Sequence, residues 1–163
     1  MSSTPSHQDP PNPSAPHYRK PGWFTRHVLN PTVAGLTRAG ISVWGSRVLE
    51  VKGRTTGQPH RIPVNLLDLD GRQYLVSARG NGQWVRNVRA ARGHLDLLVG
   101  RRRQEWVATE LPDDAKVEVL RAYLRRWKAE VGAFFDGVDA NSTDQEIRSI
   151  AAKHPVFVLA PAA

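Results

Sequence analysis

Two apolar runs, residues 64–69 and 73–77, flank the dipeptide Asp70-Gly71 near the middle of the chain. Short apolar runs bounded by turn residues read as strands. Asp-Gly between them is a strong hairpin signal, because a type I′ turn needs positive φ at both central positions. The pattern extends the hairpin to strands at 60–69 and 72–78, with Pro63 pointing to an edge or a bulge in the first. Residues 47–52 form a further strand, joined to the hairpin by a loop at 53–59. A second hairpin is expected from 94–99 and 104–111 across 100–103. In its second arm Glu105, Val107, Thr109 and Leu111 alternate with Trp106, Ala108 and Glu110. A last strand at 155–159 is apolar throughout and reads as buried.

The helical signals lie between and after these strands. Residues 82–91 suit a short helix. Residues 112–131 carry Val117, Leu120, Leu124, Trp127 and Val131 at spacings of three and four. Asp113 and Asp114 suit the positive end of that helix, and Arg125, Arg126 and Lys128 suit its other end. After a loop at 132–141, Thr143 and Glu146 have the spacing of a capping box for a helix ending near Lys153. About six strands joined by hairpins do not make the alternating pattern of a doubly wound sheet. They predict a mainly β, α+β domain: a small antiparallel barrel with helices packed on it.

Residues 1–21 are rich in Pro, Ser, His and Asn without apolar periodicity, and are expected to be a disordered tail. The remainder, 22–163, reads as one domain. Its first part carries short helical pieces around Trp23-Phe24, Val28-Leu29, Val33 and Leu36. Asn30-Pro31 suits a restart and Gly40 a stop. The 22–44 segment can pack on the core, cap a pocket or make peripheral contact with a membrane. Packing on the core is the favoured expectation.

Length and composition narrow the picture. At 163 residues the chain can bury a proper core. Without cysteine it has no disulfide, thiolate metal site or thiol nucleophile, which suits the reducing cytoplasm. No apolar run approaches a membrane span, and an apolar signal-peptide core is missing from the N-terminus. The expected location is therefore cytoplasmic, with membrane association as the alternative. The formal charge is +8, and Arg supplies 18 of the 23 basic residues. Arginine forks suit phosphate or carboxylate, although a basic surface needs no ligand to explain it. Nucleic acid is disfavoured, since the arginines are spread along the chain and no nucleic-acid motif is present.

Two Gly-bounded basic loops carry the candidate chemistry. Gly53-Arg54-Thr55-Thr56-Gly57 has glycines that permit close backbone approach, two hydroxyls and an Arg. It lacks the Lys-Ser/Thr ending of a Walker A loop. Arg79-Gly80-Asn81-Gly82 leads into a helix whose amide end favours an anion. On that helix Trp84 and Val88 are four apart, as are Gln83 and Asn87, so one side can pack inward while the other meets a ligand. For Trp84 alone, core packing is the simpler explanation. Histidines are scattered, Ser77 is not in a GxSxG elbow, and carboxylates form no evident pair. No catalytic residue is assigned, and no metal site is expected. Phe134 and Phe135 suit either the floor of a substrate pocket or the core.

Together these features resemble the deazaflavin-dependent nitroreductase family, whose coenzyme is the 8-hydroxy-5-deazaflavin F-420. The resemblance covers about residues 48–103. It is carried by Gly53-Arg54-Thr55-Thr56-Gly57, His60-Arg61-Ile62-Pro63, Asp70-Gly71, Tyr74-Leu75-Val76, Arg79-Gly80 and Trp84 to Asn87. The final strand fits as well. The resemblance implies a split β-barrel similar to pyridoxamine-phosphate-oxidase-like flavin-binding proteins. It also implies hydride transfer from the reduced deazaflavin to a quinone, nitro compound or conjugated enone. Flavin mononucleotide is the less favoured cofactor, and a non-catalytic flavin- or deazaflavin-binding module is the alternative function. Carried over residue by residue, Arg54, Thr55, Thr56, Gln58 and His60 or Arg61 would hold the coenzyme's phosphate and acidic tail. Ser77, Ala78, Arg79 and Gly80 would lie along it, with Trp84 and Asn87 beside them. Some relatives carry Lys at the place of Thr55 and Arg at that of His60, which shifts phosphate contacts toward Arg54 and Arg61. A hydride-donating cofactor accounts for the missing acid–base set, because the protein then has only to bind, orient and exclude water. The partner implied is a small-molecule acceptor, and the oligomeric state is left open.

Overall fold

The computed structural model describes residues 46–163. Six strands, β1 (Ser46–Lys52), β2 (Pro59–Leu69), β3 (Arg72–Val76), β4 (His94–Val99), β5 (Arg102–Glu110) and β6 (Val156–Pro161), close into one barrel. Their order around it is β1-β2-β3-β6-β5-β4, and every pairing is antiparallel. Among the described residues three α-helices accompany them: α1 (Gln83–Ala90), α2 (Val117–Val131) and α3 (Asp144–Ala151). The antiparallel barrel with helices is the architecture the apolar pattern predicts. The expected tail at 1–21, the domain start at 22 and the 22–44 segment with its membrane alternative lie outside the described residues.

Alternation along the strands builds two cores. Leu49, Val51, Leu66, Leu75, Leu95, Leu97, Phe157 and Leu159 meet inside the barrel, where α1 adds Val85 and Val88. Their neighbours Leu67, Tyr74, Val76 and Val156 face outward and are covered by Leu120, Leu124, Trp127 and Val131 of α2 and Ile147 and Ile150 of α3. The register makes this visible, since Leu66 pairs with Leu75 inside and Leu67 with Tyr74 outside. α3 is opened by the capping box read from Thr143 and Glu146.

Local chemistry accounts for the elements that differ in extent from expectation. Asp70 and Gly71 have φ of 50° and 74°, as the hairpin turn requires. β3 stops at Val76, two residues early, because the Ser77 hydroxyl donates to the Gly80 carbonyl (2.6 Å) and curls the chain away. β5 starts at Arg102, because Gly100 (φ 60°) allows a two-residue turn and pairing runs on to Val99–Arg102. The expected helix from Pro112 opens as a 3-10 turn at Asp113–Ala115, where the buried Lys116 ammonium reaches back to the Asp113 carboxylate (2.6 Å) and across to the Ala151 carbonyl (3.0 Å). Pro63 lies in the half of β2 that pairs with β1 alone, because the β3 partners begin at Leu66. An edge-like position on one side explains its tolerance there.

Gly93 joins α1 to β4 with φ of 84°. Its N–H donates to the Val88 carbonyl (2.9 Å), its own carbonyl accepts from Ala108 (2.9 Å), and a Cβ would sit 2.2 Å from the Ala108 carbonyl oxygen. Gly71 has a similar φ of 74° with nothing within 4 Å of such a Cβ. Gly71→Ala is therefore expected to lose only the conformational term, about 1–2 kcal/mol. Gly93→Ala should lose that and displace β5 as well. Thermal melts of the two variants check this: the fall in melting temperature should be clearly larger for Gly93→Ala, and equal falls would show that β5 yields freely.

Candidate functional site

α1 sorts its side chains as the four-residue spacings predict. Trp84 and Val88 turn to the barrel core, the Trp84 ring lying 5.7 Å from Phe157 with the planes inclined at 54°. Gln83 and Asn87 receive the first basic loop. The Arg54 guanidinium donates through Nη1 to Gln83 Oε1 (2.7 Å) and Asn87 Oδ1 (3.0 Å), and the Arg54 backbone N–H donates to the same Asn87 oxygen (3.3 Å). Asn87 is only 3% exposed. The two basic loops thus share one support, with Arg54 as the link.

The loop's own backbone uses most of its amides. Gly53 N–H donates to the Gln58 carbonyl (2.8 Å), Gly57 N–H to the Gly53 carbonyl (2.9 Å), and Gln58 N–H to Thr56 Oγ1 (3.3 Å). The side chains of Arg54, Thr55, Thr56 and Gln58 stand exposed on the outside of the loop. A Cβ at Gly53 would sit 2.6 Å from the exposed His60 ring and 3.0 Å from the Gln58 carbonyl oxygen, so a side chain there would displace the ring.

His60 and Arg61 part company, since successive strand residues face opposite ways. Arg61 is engaged by Glu50, its cross-strand partner in β1. Glu50 is 5% exposed and also meets Arg103 (2.7 Å), which pairs in turn with Asp96 (2.8 Å). The hydrogen bond from Arg61, supported by Arg103 and opposed by burial, holds the Glu50 carboxyl below the usual range. Arg61 thus has a carboxylate partner in the barrel wall while its side chain stays largely exposed. The alternation offered one signal of this: a carboxylate between Leu49 and Val51.

The second loop is clamped from within. Ser77 is buried, and its carbonyl accepts from Gly80 N–H (3.2 Å) while its hydroxyl bonds the Gly80 carbonyl. Ala78 packs against the outer core. The Arg79 guanidinium lies 5.0 Å from the centre of the Phe134 ring, in cation–π range. Gly82 precedes α1 without a side-chain cap, and the first turn carries no acidic residue. Phe135 is fully buried and stacked on His154 (4.1 Å, 17°), so it belongs to the core and cannot floor a substrate pocket. Phe134 is partly buried against that core. His154 escaped notice in the sequence: its Nδ1 lies 3.2 Å from the Ser77 carbonyl, and its Nε2 is buried without a partner among the described residues.

Beside the first loop opens a cavity of about 590 Å³, whose lining includes Lys52, Gly57, Pro59, His94, Arg103 and Trp106. Among the described residues no group of three or more His, Asp or Glu side chains is placed to hold a metal ion. No helix among them is long and apolar enough to cross a membrane.

The pattern of the family described as F-420H(2)-dependent quinone reductase matches residues 23–148. No curated protein matches the sequence. Among solved structures, a heme storage protein from Vibrio cholerae superposes with a TM-score of 0.51 at 11% identity, covering 83% of this chain and 91% of that one. A conserved hypothetical protein from Mycobacterium tuberculosis gives 0.50 at 17% identity, with 82% and 81% covered. An F-420-H2-dependent reductase gives 0.47 at 16% identity, with 71% and 94% covered. The first two show likeness of fold.

His154, lying against the Ser77 carbonyl under the second loop, is expected to make the fold sensitive to acid. Burial lowers its pKa from the ordinary 6.5, against smaller raising contributions from the Ser77 carbonyl and Asp136. The unfolded chain therefore takes up this proton before the folded one, so stability rises with pH across the window below 6.5 and falls as that window is entered from above. Melting temperatures measured from about pH 7.5 down to about pH 5 should drop less steeply for His154→Gln than for the parent chain. Parallel profiles would show that this imidazole does not control the loss.

Proposed function

The chain belongs to the F-420H(2)-dependent quinone reductase family, a reductase using reduced coenzyme F-420, and on that footing we propose that it passes the hydride to a quinone or a similarly conjugated acceptor such as a nitro compound or enone. Membership in an enzyme family sets aside the non-catalytic binding module. The observation that carries the site assignment is Arg54: its guanidinium is held on α1 by two amide oxygens, with no carboxylate partner among the described residues. Thr55, Thr56, Gln58 and His60 stand exposed around it. A basic, hydroxyl-bearing loop whose arginine is held by neutral amides fits the phosphate and acidic tail of this coenzyme.

When bound, the reduced deazaflavin supplies the hydride; the chain's residues bind, orient and exclude water. Arg54 would hold the phosphate, with Thr55, Thr56, Gln58 and His60 as neighbouring donors. The segment Ser77–Gly80 would act as a fixed rim through its backbone, since Ser77 is already committed to Gly80. Trp84, half-buried against Phe157, would form a rigid apolar wall. Holding coenzyme and acceptor together supplies the proximity from which such a transfer gains most.

Titration with the deazaflavin should quench coenzyme fluorescence, with a weaker response to flavin mononucleotide. Tight flavin mononucleotide binding without a deazaflavin response would remove the cofactor assignment at this site. A net charge-assisted hydrogen bond contributes about 1.5–3 kcal/mol, so Arg54→Ala should weaken coenzyme binding roughly tenfold to a hundredfold. Turnover at saturating coenzyme should change much less. Unchanged affinity in folded Arg54→Ala protein would take Arg54 out of the site.

A further inference from the structure

Arg61, Arg89, Arg103 and Arg121 each hydrogen-bond a carboxylate. Arg54 differs, because both of its side-chain acceptors among the described residues are neutral amide oxygens, on Gln83 at 2.7 Å and Asn87 at 3.0 Å. A carboxylate at either place would grip the guanidinium at least as firmly, since bonds between ionised partners are the stronger kind. It would also cancel the charge. Amide partners aim the fork and leave the charge intact. The two amides have different roles. Asn87 is buried and holds both the guanidinium and the backbone N–H of Arg54, while Gln83 is exposed. Four residues apart on α1, they lie on the same side of the helix.

Resting on the assignment of Arg54 to the coenzyme's phosphate, we propose that Asn87 and Gln83 are positioning residues forming a neutral clamp that delivers Arg54 to that phosphate with its full charge. Asn87 therefore stands behind Arg54 and acts through it, whereas the family resemblance set it beside the coenzyme. The amide identity of the two acceptors determines how much positive charge the ligand meets.

Asn87→Asp tests this, because it keeps size and hydrogen-bond acceptance while adding a negative charge against the guanidinium. Gln83→Glu does the same at the exposed end, away from the core. The melting temperature of the full chain without coenzyme and its dissociation constant for the deazaflavin are measured at several salt concentrations. Both variants should melt at or above the parent temperature, bind roughly tenfold more weakly, and show a shallower dependence on salt. A purely structural brace predicts instead that affinity follows melting temperature. If the variants fold and bind as the parent does, the clamp is wrong and the coenzyme assignment stands. If Asn87→Asp melts early, Gln83→Glu decides by the same criteria. If the parent chain itself does not bind the deazaflavin, the coenzyme assignment and the clamp fall together.

Discussion

Strands in a closed barrel send alternate residues to opposite sides, so each strand has to suit an inner and an outer environment at once. Here the inner side is apolar nearly all round, and the outer side is divided. Where β2, β3 and β6 turn outward, Leu67, Tyr74 and Val76 are covered by α2 and α3. Where β1, the start of β2, β4 and β5 turn outward, charged side chains such as Glu50, Arg61, Asp96 and Arg103 pair with one another. Closure through the β1–β4 pairing makes these two solutions parts of one object. It also brings α1, which shares the inner core, against the loop that leaves β1.

That juxtaposition accounts for the character of the site. Residues 54 and 87 are far apart in sequence, and the barrel brings them within hydrogen-bond reach. The loop is shaped by its own backbone bonds, docked by Arg54 and crowded by the His60 ring. His60 and Arg61 illustrate how strictly the pleat assigns roles: neighbours in sequence, one lies against the loop and the other is tied to Glu50. A family that relies on a cofactor for its chemistry asks the protein for placement more than for reactive side chains. A rigid barrel with short loops provides that placement.

The parts legible in the sequence were those set by local rules. Asp70-Gly71 announces its turn by stereochemistry, Thr143 and Glu146 their cap by spacing, and Gln83 with Asn87 a shared helix face by periodicity. The family motifs placed the two basic loops. What stayed hidden depends on contacts between distant segments. Nothing near Arg61 reveals that Glu50 will claim it, because that pairing follows from the register of β1 against β2. Phe135 resembles Phe134 in sequence, yet His154 stacks on it and confines it to the core. A strand end and a helix start shifted for a related reason: the Ser77 hydroxyl and the buried Lys116 ammonium each impose a turn that apolar periodicity does not register.

Glu50 has a consequence for how the barrel breathes. It lies in the wall between Arg61 and Arg103, so this side is joined by charge as well as by the strand ladder, whereas the opposite side is sealed by buried apolar surface under two helices. Arg61 and Arg103 are exposed while Glu50 is buried, so added salt weakens these contacts in part, and apolar burial weakens with cooling. Transient opening of the two sides therefore responds to different solution conditions. Amide hydrogens on the charged side gain solvent access in strong salt, and those beneath the helices gain it in the cold.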